Sequence, residues 1–199
     1  MSSLFSDAIN LNLPDSEIRY YPSFIAAEEA HNYLELFKNT ILWQQDDIQI
    51  FGKTYAQPRL TALYADNAKP YTYSGITMKP HKFTKELVAI KRKLESEVAT
   101  NFTTCLLNLY RDGSDSNGWH ADNEKELGKN PIIASITLGQ ERFFHLKHRT
   151  QKELKHKLLL EHGSLLLMQG ETQHHWLHQI PKTKKPMNER INLTFRVVY

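Results

Sequence analysis

Residues 190–196 read Arg-Ile-Asn-Leu-Thr-Phe-Arg. In an extended strand side chains alternate between faces. Ile191, Leu193, Phe195 and Val197 then share one face, and Arg190, Asn192, Thr194 and Arg196 share the other. Two permanent cations and two neutral hydrogen-bonding groups form a strip suited to a small dianion; arginine supplies a planar fork for carboxylates. Upstream, His120 and Asp122 stand at i and i+2, where an extended backbone turns both to one side, and His178 can complete a set of two imidazoles and one carboxylate. Such a set suits a divalent iron ion with coordination positions left open. A His-x-Asp pair is weak by itself in a chain with ten histidines, and His174 and His175 compete for the place of second imidazole. A matching polar strip, Asn108 and Tyr110, opposes Cys105, Leu107 and Leu109 on an earlier segment. A polar barrel interior of this kind is costly unless a ligand satisfies it.

These residues need a scaffold. The 199 residues suffice for one full core. Apolar residues recur at helical spacing from Ala26 to Ile41 and again from Thr84 to Ala99, with Thr84 as the expected N-cap. Between them, Ile48–Tyr55 and Arg59–Tyr64 read as extended and as a hairpin turning at Gly52-Lys53. After Phe102 short strands follow: Thr103–Tyr110, Pro131–Leu138, Arg142–Lys147, His156–Glu161, Ser164–Met168, His175–Ile180 and Arg190–Tyr199. Asp112–Gly118 reads as a loop. The expectation is one mainly β domain with flanking helices: a jelly-roll core over residues 103–199, and helices and lid hairpins over 1–102.

Composition narrows the setting. A single cysteine, Cys105, excludes an internal disulfide framework and suits a reducing compartment. No signal peptide or membrane-spanning run is evident, so a cytoplasmic or nuclear monomer without membrane partners is expected. Net charge is only +3, but basic residues cluster at Lys82–Lys93, Arg142–Lys157 and Lys182–Lys185, patches able to neutralise phosphates.

The set Asn108-Leu109-Tyr110-Arg111-Asp112-Gly113, His120-Ala121-Asp122-Asn123-Glu124, Trp176-Leu177-His178 and Arg190–Arg196 resembles the AlkB family of Fe(II)- and 2-oxoglutarate-dependent dioxygenases, across about Ile50 to Tyr199. That resemblance implies a double-stranded β-helix carrying a nucleotide-recognition lid. It implies iron held by His120, Asp122 and His178, and the distal carboxylate of 2-oxoglutarate held by Arg190 with Tyr110 and Asn192. Asn108 and Arg196 would support the co-substrate nearer the metal, Thr194 belongs to the same strip, and the two arginines could partly exchange roles. The lid segments Ile50-Phe51-Gly52-Lys53, Gln57-Pro58-Arg59 and Tyr71–Gly75 resemble the subgroup acting on duplex DNA. Phe51 would be the wedge that fills the gap left by an everted base, Tyr73 a stacking ring, and Arg59, Tyr71, Ser74 and Glu124 further base or backbone contacts. The implied activity is demethylation of 1-methyladenine and 3-methylcytosine in DNA, double- or single-stranded, or in RNA, with release of formaldehyde, succinate and CO2. Competing readings are an oxygenase acting on RNA, lipid or protein, a nucleic-acid-binding jelly roll without catalysis, and a cupin-like metal-binding protein.

Overall fold

The computed structural model describes residues 8–50, 53–67, 71–73 and 76–199. Short strands β1 (Ile9–Asn10) and β2 (Glu17–Tyr21) precede helix α1 (Ala27–Thr40). Then come β3 (Asp47–Ile50), β4 (Lys53–Ala56), β5 (Leu60–Ala65), β6 (Tyr71–Tyr73), β7 (Ile76–Met78), β8 (His81–Lys82) and helix α2 (Lys85–Glu97). The rest is β9 (Thr104–Tyr110), β10 (Asn117–His120), β11 (Ile133–Gly139), β12 (Arg142–His148), β13 (Lys155–Leu160), β14 (Leu165–Gln169), one-turn helix α3 (Thr172–His175), β15 (Trp176–Ile180) and β16 (Arg190–Arg196).

Two sheets face each other. The larger has eight strands in the order β1-β2-β14-β11-β16-β9-β5-β8, and the smaller has four in the order β10-β15-β12-β13. Leu106, Ile133, Leu166 and Met168 from the large sheet pack against Phe144, Leu146, Leu160, Trp176 and Ile180 from the small one. The opposite face of the large sheet (Leu107, Leu109, Ile191, Leu193, Phe195) is covered by Leu34 and Phe37 of α1 and Leu87, Ile90 and Leu94 of α2. Burying each such side chain stabilises the fold by about 1.5–3 kcal/mol. At Gly139 (φ 85°) the chain leaves β11 for the small sheet; a side chain there would meet the Glu189 carbonyl at 2.5 Å. This mostly β, two-sheet arrangement with outer helices is the expected jelly roll.

Both helices form close to their expected bounds, and the Thr84 hydroxyl accepts from the Leu87 amide as an N-cap should. Two expectations need correction. The hairpin joins β3 to β4, whereas Arg59–Tyr64 contributes β5, which pairs with β9 inside the large sheet. Asn117 and Gly118 are not loop: they start β10, which pairs with β15 through an irregular register. Strand β2 also joins the large sheet, beside β14. Short strands with few alternating residues carry little periodic signal.

Candidate active site

Strand β16 lies between β11 and β9, with Asn192 opposite Asn108 and Arg190 opposite Tyr110. The inward faces of these strands, with the inner face of the small sheet, enclose a cavity of about 460 Å3 including its open mouth. Asn108, Tyr110, Arg190, Asn192, Thr194 and Arg196 all line it. So do His120, Asp122 and His178. The alternation read from the sequence is therefore borne out: the apolar side of β16 holds the helices and its polar side faces the cavity.

The ligand atoms of His120, Asp122 and His178 lie within 4.8 Å of one another. His178 hangs from β15, His120 ends β10, and the two rings stand 4.3 Å apart. His120 Nδ1 is 2.7 Å from the Gly118 carbonyl, which requires that nitrogen to donate and leaves Nε2 with a lone pair, 3.9 Å from Asp122 Oδ1 and accepting from the Asn117 side-chain amide at 3.2 Å. Phe144 stacks on the His178 ring at 5.1 Å. Burial, reinforced by His120 and opposed by Asp122, takes His178 down to about 3; burial also lowers His120. Both imidazoles are thus neutral at ordinary pH. Burial pushes the Asp122 carboxyl upward, but Arg196, His178 and His120 outweigh it and keep it below its ordinary range. Two neutral imidazoles and one ionised carboxylate are the donor set an open divalent iron site needs.

The arginines sit in different surroundings. Arg196 Nη2 donates to Asp122 Oδ1 at 2.9 Å, so this cation belongs to the triad end. Arg190 is 2% exposed, donates through Nη2 to Thr137 Oγ1 at 2.9 Å, and lies 5.1 Å over the Tyr110 ring. Among the described residues its buried Nε and Nη1 meet no hydrogen-bond partner. Burial drops this guanidinium to about 10, with Tyr110 opposing and Arg142 adding to the fall. A buried, half-satisfied cation is costly unless an anion meets it. A carboxylate at this end of the cavity fits that need, so the pocket suits a dicarboxylate reaching from the triad towards Arg190.

Other expected residues are placed differently. Arg59 is buried and committed inside the protein, donating to Asn108 Oδ1 at 2.7 Å and to the Ser116 carbonyl at 3.1 Å. The Asn192 amide donates to Ser135 Oγ at 2.7 Å and the Ile136 carbonyl at 3.1 Å, and Thr194 donates to Asn192 Oδ1 at 2.9 Å; both brace the cavity floor. Glu124 lies half-buried near Asp122, its Oε2 unpartnered among the described residues, and burial together with the Asp122 charge raises its carboxyl. Phe51 and Ser74 lie outside the described residues, as do the side chains of Tyr71 and Tyr73.

Four side chains escaped the sequence reading. Gln173 on α3 accepts the Asp122 amide proton at 2.9 Å. Ser135 and Thr137 support Asn192 and Arg190, and their polar alternation within the apolar β11 segment was a usable signal. Arg142 packs 5.9 Å from the Tyr110 ring and donates to the carbonyls of Asp112, Asp115 and Pro181, tying loops to the cavity wall.

A second cluster, Asp15, His148 and His175, also brings its ligand atoms within 4.8 Å. His148 Nδ1, however, accepts the Gln151 backbone amide at 3.1 Å. An N–H cannot be reversed, so the His148 proton sits on Nε2, facing Asp15 Oδ2 at 3.4 Å.

Comparison with known proteins agrees with this geometry. Residues 17–196 match the 2OG-Fe(II) oxygenase superfamily. Alpha-ketoglutarate-dependent dioxygenase alkB homolog 3 of Homo sapiens is 39% identical over 193 residues, covering 92% of this chain and 67% of that protein. DNA oxidative demethylase ALKBH2 of Bos taurus is 37% identical over 159 residues, covering 76% and 57% respectively. Among solved structures, OsALKBH1 shares the fold with a TM-score of 0.66 at 16% identity, covering 90% of this chain and 97% of that one. An oxidoreductase of the 2OG-Fe(II) oxygenase family from Burkholderia pseudomallei gives 0.58 at 12% identity, covering 90% and 84%. The class is that of Fe(II)- and 2-oxoglutarate-dependent dioxygenases. Within it, the chain belongs to the AlkB family.

Proposed function

We propose that the protein removes N-linked methyl groups from bases in DNA, with 1-methyladenine and 3-methylcytosine as substrates, as direct repair of alkylation damage. His120, Asp122 and His178 would hold Fe(II), Arg190 with Tyr110 and Thr137 would take the distal carboxylate of 2-oxoglutarate, and Asn108 and Arg196 would stand nearer the metal. Bound there, iron with 2-oxoglutarate and O2 supplies the oxidation of the methyl carbon, leaving formaldehyde, succinate and CO2.

The chain's own residues do the positioning. The Gly118 carbonyl fixes the His120 tautomer, Arg196 and Gln173 fix Asp122, and Ile133, Phe144, Met168 and Ile180 wall the cavity against water. The observation that carries the substrate class is Glu124: a buried carboxylate oxygen close to the triad, unpartnered among the described residues, suits a base made cationic by methylation. Methylation that blocks pairing also makes such a base cheaper to evert. Relatives named for DNA demethylation support the same substrate class.

The test uses iron-loaded protein, 2-oxoglutarate, and duplex or single-stranded oligonucleotides carrying one 1-methyladenine, read by mass spectrometry. Loss of one methylene mass that needs 2-oxoglutarate and disappears in His178→Ala is the expected result. Succinate formation without that loss would reject the base and move the substrate to RNA, lipid or protein.

A further inference from the structure

The cavity uses one face of the four-stranded sheet; the residues of the other face are half-exposed or exposed. Alternation along β10, β15, β12 and β13 sends Trp119, Phe143, Lys147, Lys155 and Lys157 outward. Phe143 is 52% exposed and Trp119 40% exposed, so two large rings stand out from the same sheet face. The register sets Lys147 opposite Lys155 and His145 opposite Lys157, which concentrates cations on two neighbouring strands. The four strands contain neither Asp nor Glu. Among the described residues none of these three lysines pairs with an acid, and Lys147 instead lies 4.2 Å over the Trp119 ring. Beyond Phe143 the face continues into a groove of about 820 Å3, open volume included, walled by His145, Leu159, Pro181 and Met187, with Glu141 its one acid.

Cations without acidic partners, interleaved with exposed rings on one sheet face, match a polyanion that also carries planar faces. An acidic peptide would answer the charge but has no use for the spaced rings. We propose that this outer face binds an unmodified single-stranded stretch of nucleic acid, its bases stacking on Trp119 and Phe143 and its phosphates neutralised by Lys147, Lys155 and Lys157. Trp119 directly precedes His120, so β10 carries the platform on one side and a triad residue on the other. A strand held here leads over the β10 edge towards the cavity mouth. The inference rests on the nucleic-acid reading of the cavity and extends it to sequence flanking the damaged base.

The test measures fluorescence anisotropy of an unmethylated single-stranded oligonucleotide with wild type, Lys155→Glu/Lys157→Glu and Phe143→Ala, thermal melting checking that each variant folds. The double charge reversal should weaken binding at least about tenfold and flatten its salt dependence, and Phe143→Ala should weaken it roughly 5- to 100-fold. Demethylation of a methylated trinucleotide, too short to span both sites, should be unchanged in both variants. Unaltered affinity and salt slope in both folded variants overturns the proposal, as does displacement of the oligonucleotide by poly-glutamate at equal charge concentration. Failure of wild type to act on the trinucleotide would count against the cavity reading alone, since binding is measured without turnover.

Discussion

Among the described residues two clusters each bring two histidines and an aspartate within 4.8 Å, and they differ in which nitrogen lone pairs can face an ion. In the cavity, His120 gives its proton to a carbonyl and keeps a lone pair on Nε2. At the other cluster, His148 receives a backbone amide proton and must present Nε2–H. Asp122 is 2% exposed and tied to Arg196 and Gln173, whereas the Asp15 side chain is 47% exposed on a loop at positive φ. The His148 cluster instead sets that loop against the ends of β12 and α3, and the neighbouring Trp176 of β15 donates to the Pro14 carbonyl at 2.8 Å. Ligand-type residues at ligand-like distances are common; the groups behind them decide which lone pairs face the ion.

The contrast can be broken most directly at the carboxylates. Asp122→Ala should lower 2-oxoglutarate turnover by more than about 100-fold. Asp15→Ala should leave turnover intact and lower the melting temperature by at most about 2–4 °C, since a half-exposed carboxylate facing an imidazole is worth about 1 kcal/mol or less. Titration with Mn(II) should show one site per chain, and a second site lost in His148→Ala would sink the distinction. Next in size is Arg190→Met, expected to raise the KM for 2-oxoglutarate at least about 30-fold while sparing metal affinity, since a buried charge pair truncated on one side costs about 2–5 kcal/mol. Equal loss of metal affinity would mean that Arg190 serves the triad as Arg196 does. Gln173→Leu leaves the Asp122 amide without its acceptor and should weaken metal binding about tenfold, measured by competition with a chelator. The mildest effect is a pH slope in the metal-free protein. His178 and His120 titrate below their unfolded range, so the unfolded chain binds more protons and stability is lost as pH falls from about 6.5 towards 3. Urea midpoints should decline through that window, and the decline should shrink in His178→Gln.

Period-2 alternation made β16 legible, because both its faces are buried and each demands its own chemistry. The helices were legible for a similar reason: their apolar stripes and the Thr84 cap are local signals. Strand β10 was not, since Asn117 and Gly118 are turn formers held extended only by pairing with β15. Nor was the commitment of Arg59, whose partner Asn108 lies 49 residues away. The division between Arg190 and Arg196 could not be read from two identical side chains on one face; it depends on which end of the strand meets Asp122. Gln173 lies in a one-turn helix with no periodicity to reveal it.

The placement of His120 has a mechanical consequence. It terminates an edge strand held to β15 with an irregular register, while Asp122 and His178 are anchored in the interior. An ion shared by all three would act as a clasp across a seam that the backbone closes only loosely. Amide hydrogens of β10 should therefore exchange early in the metal-free protein and slow on metal addition, while those of β16 hardly change.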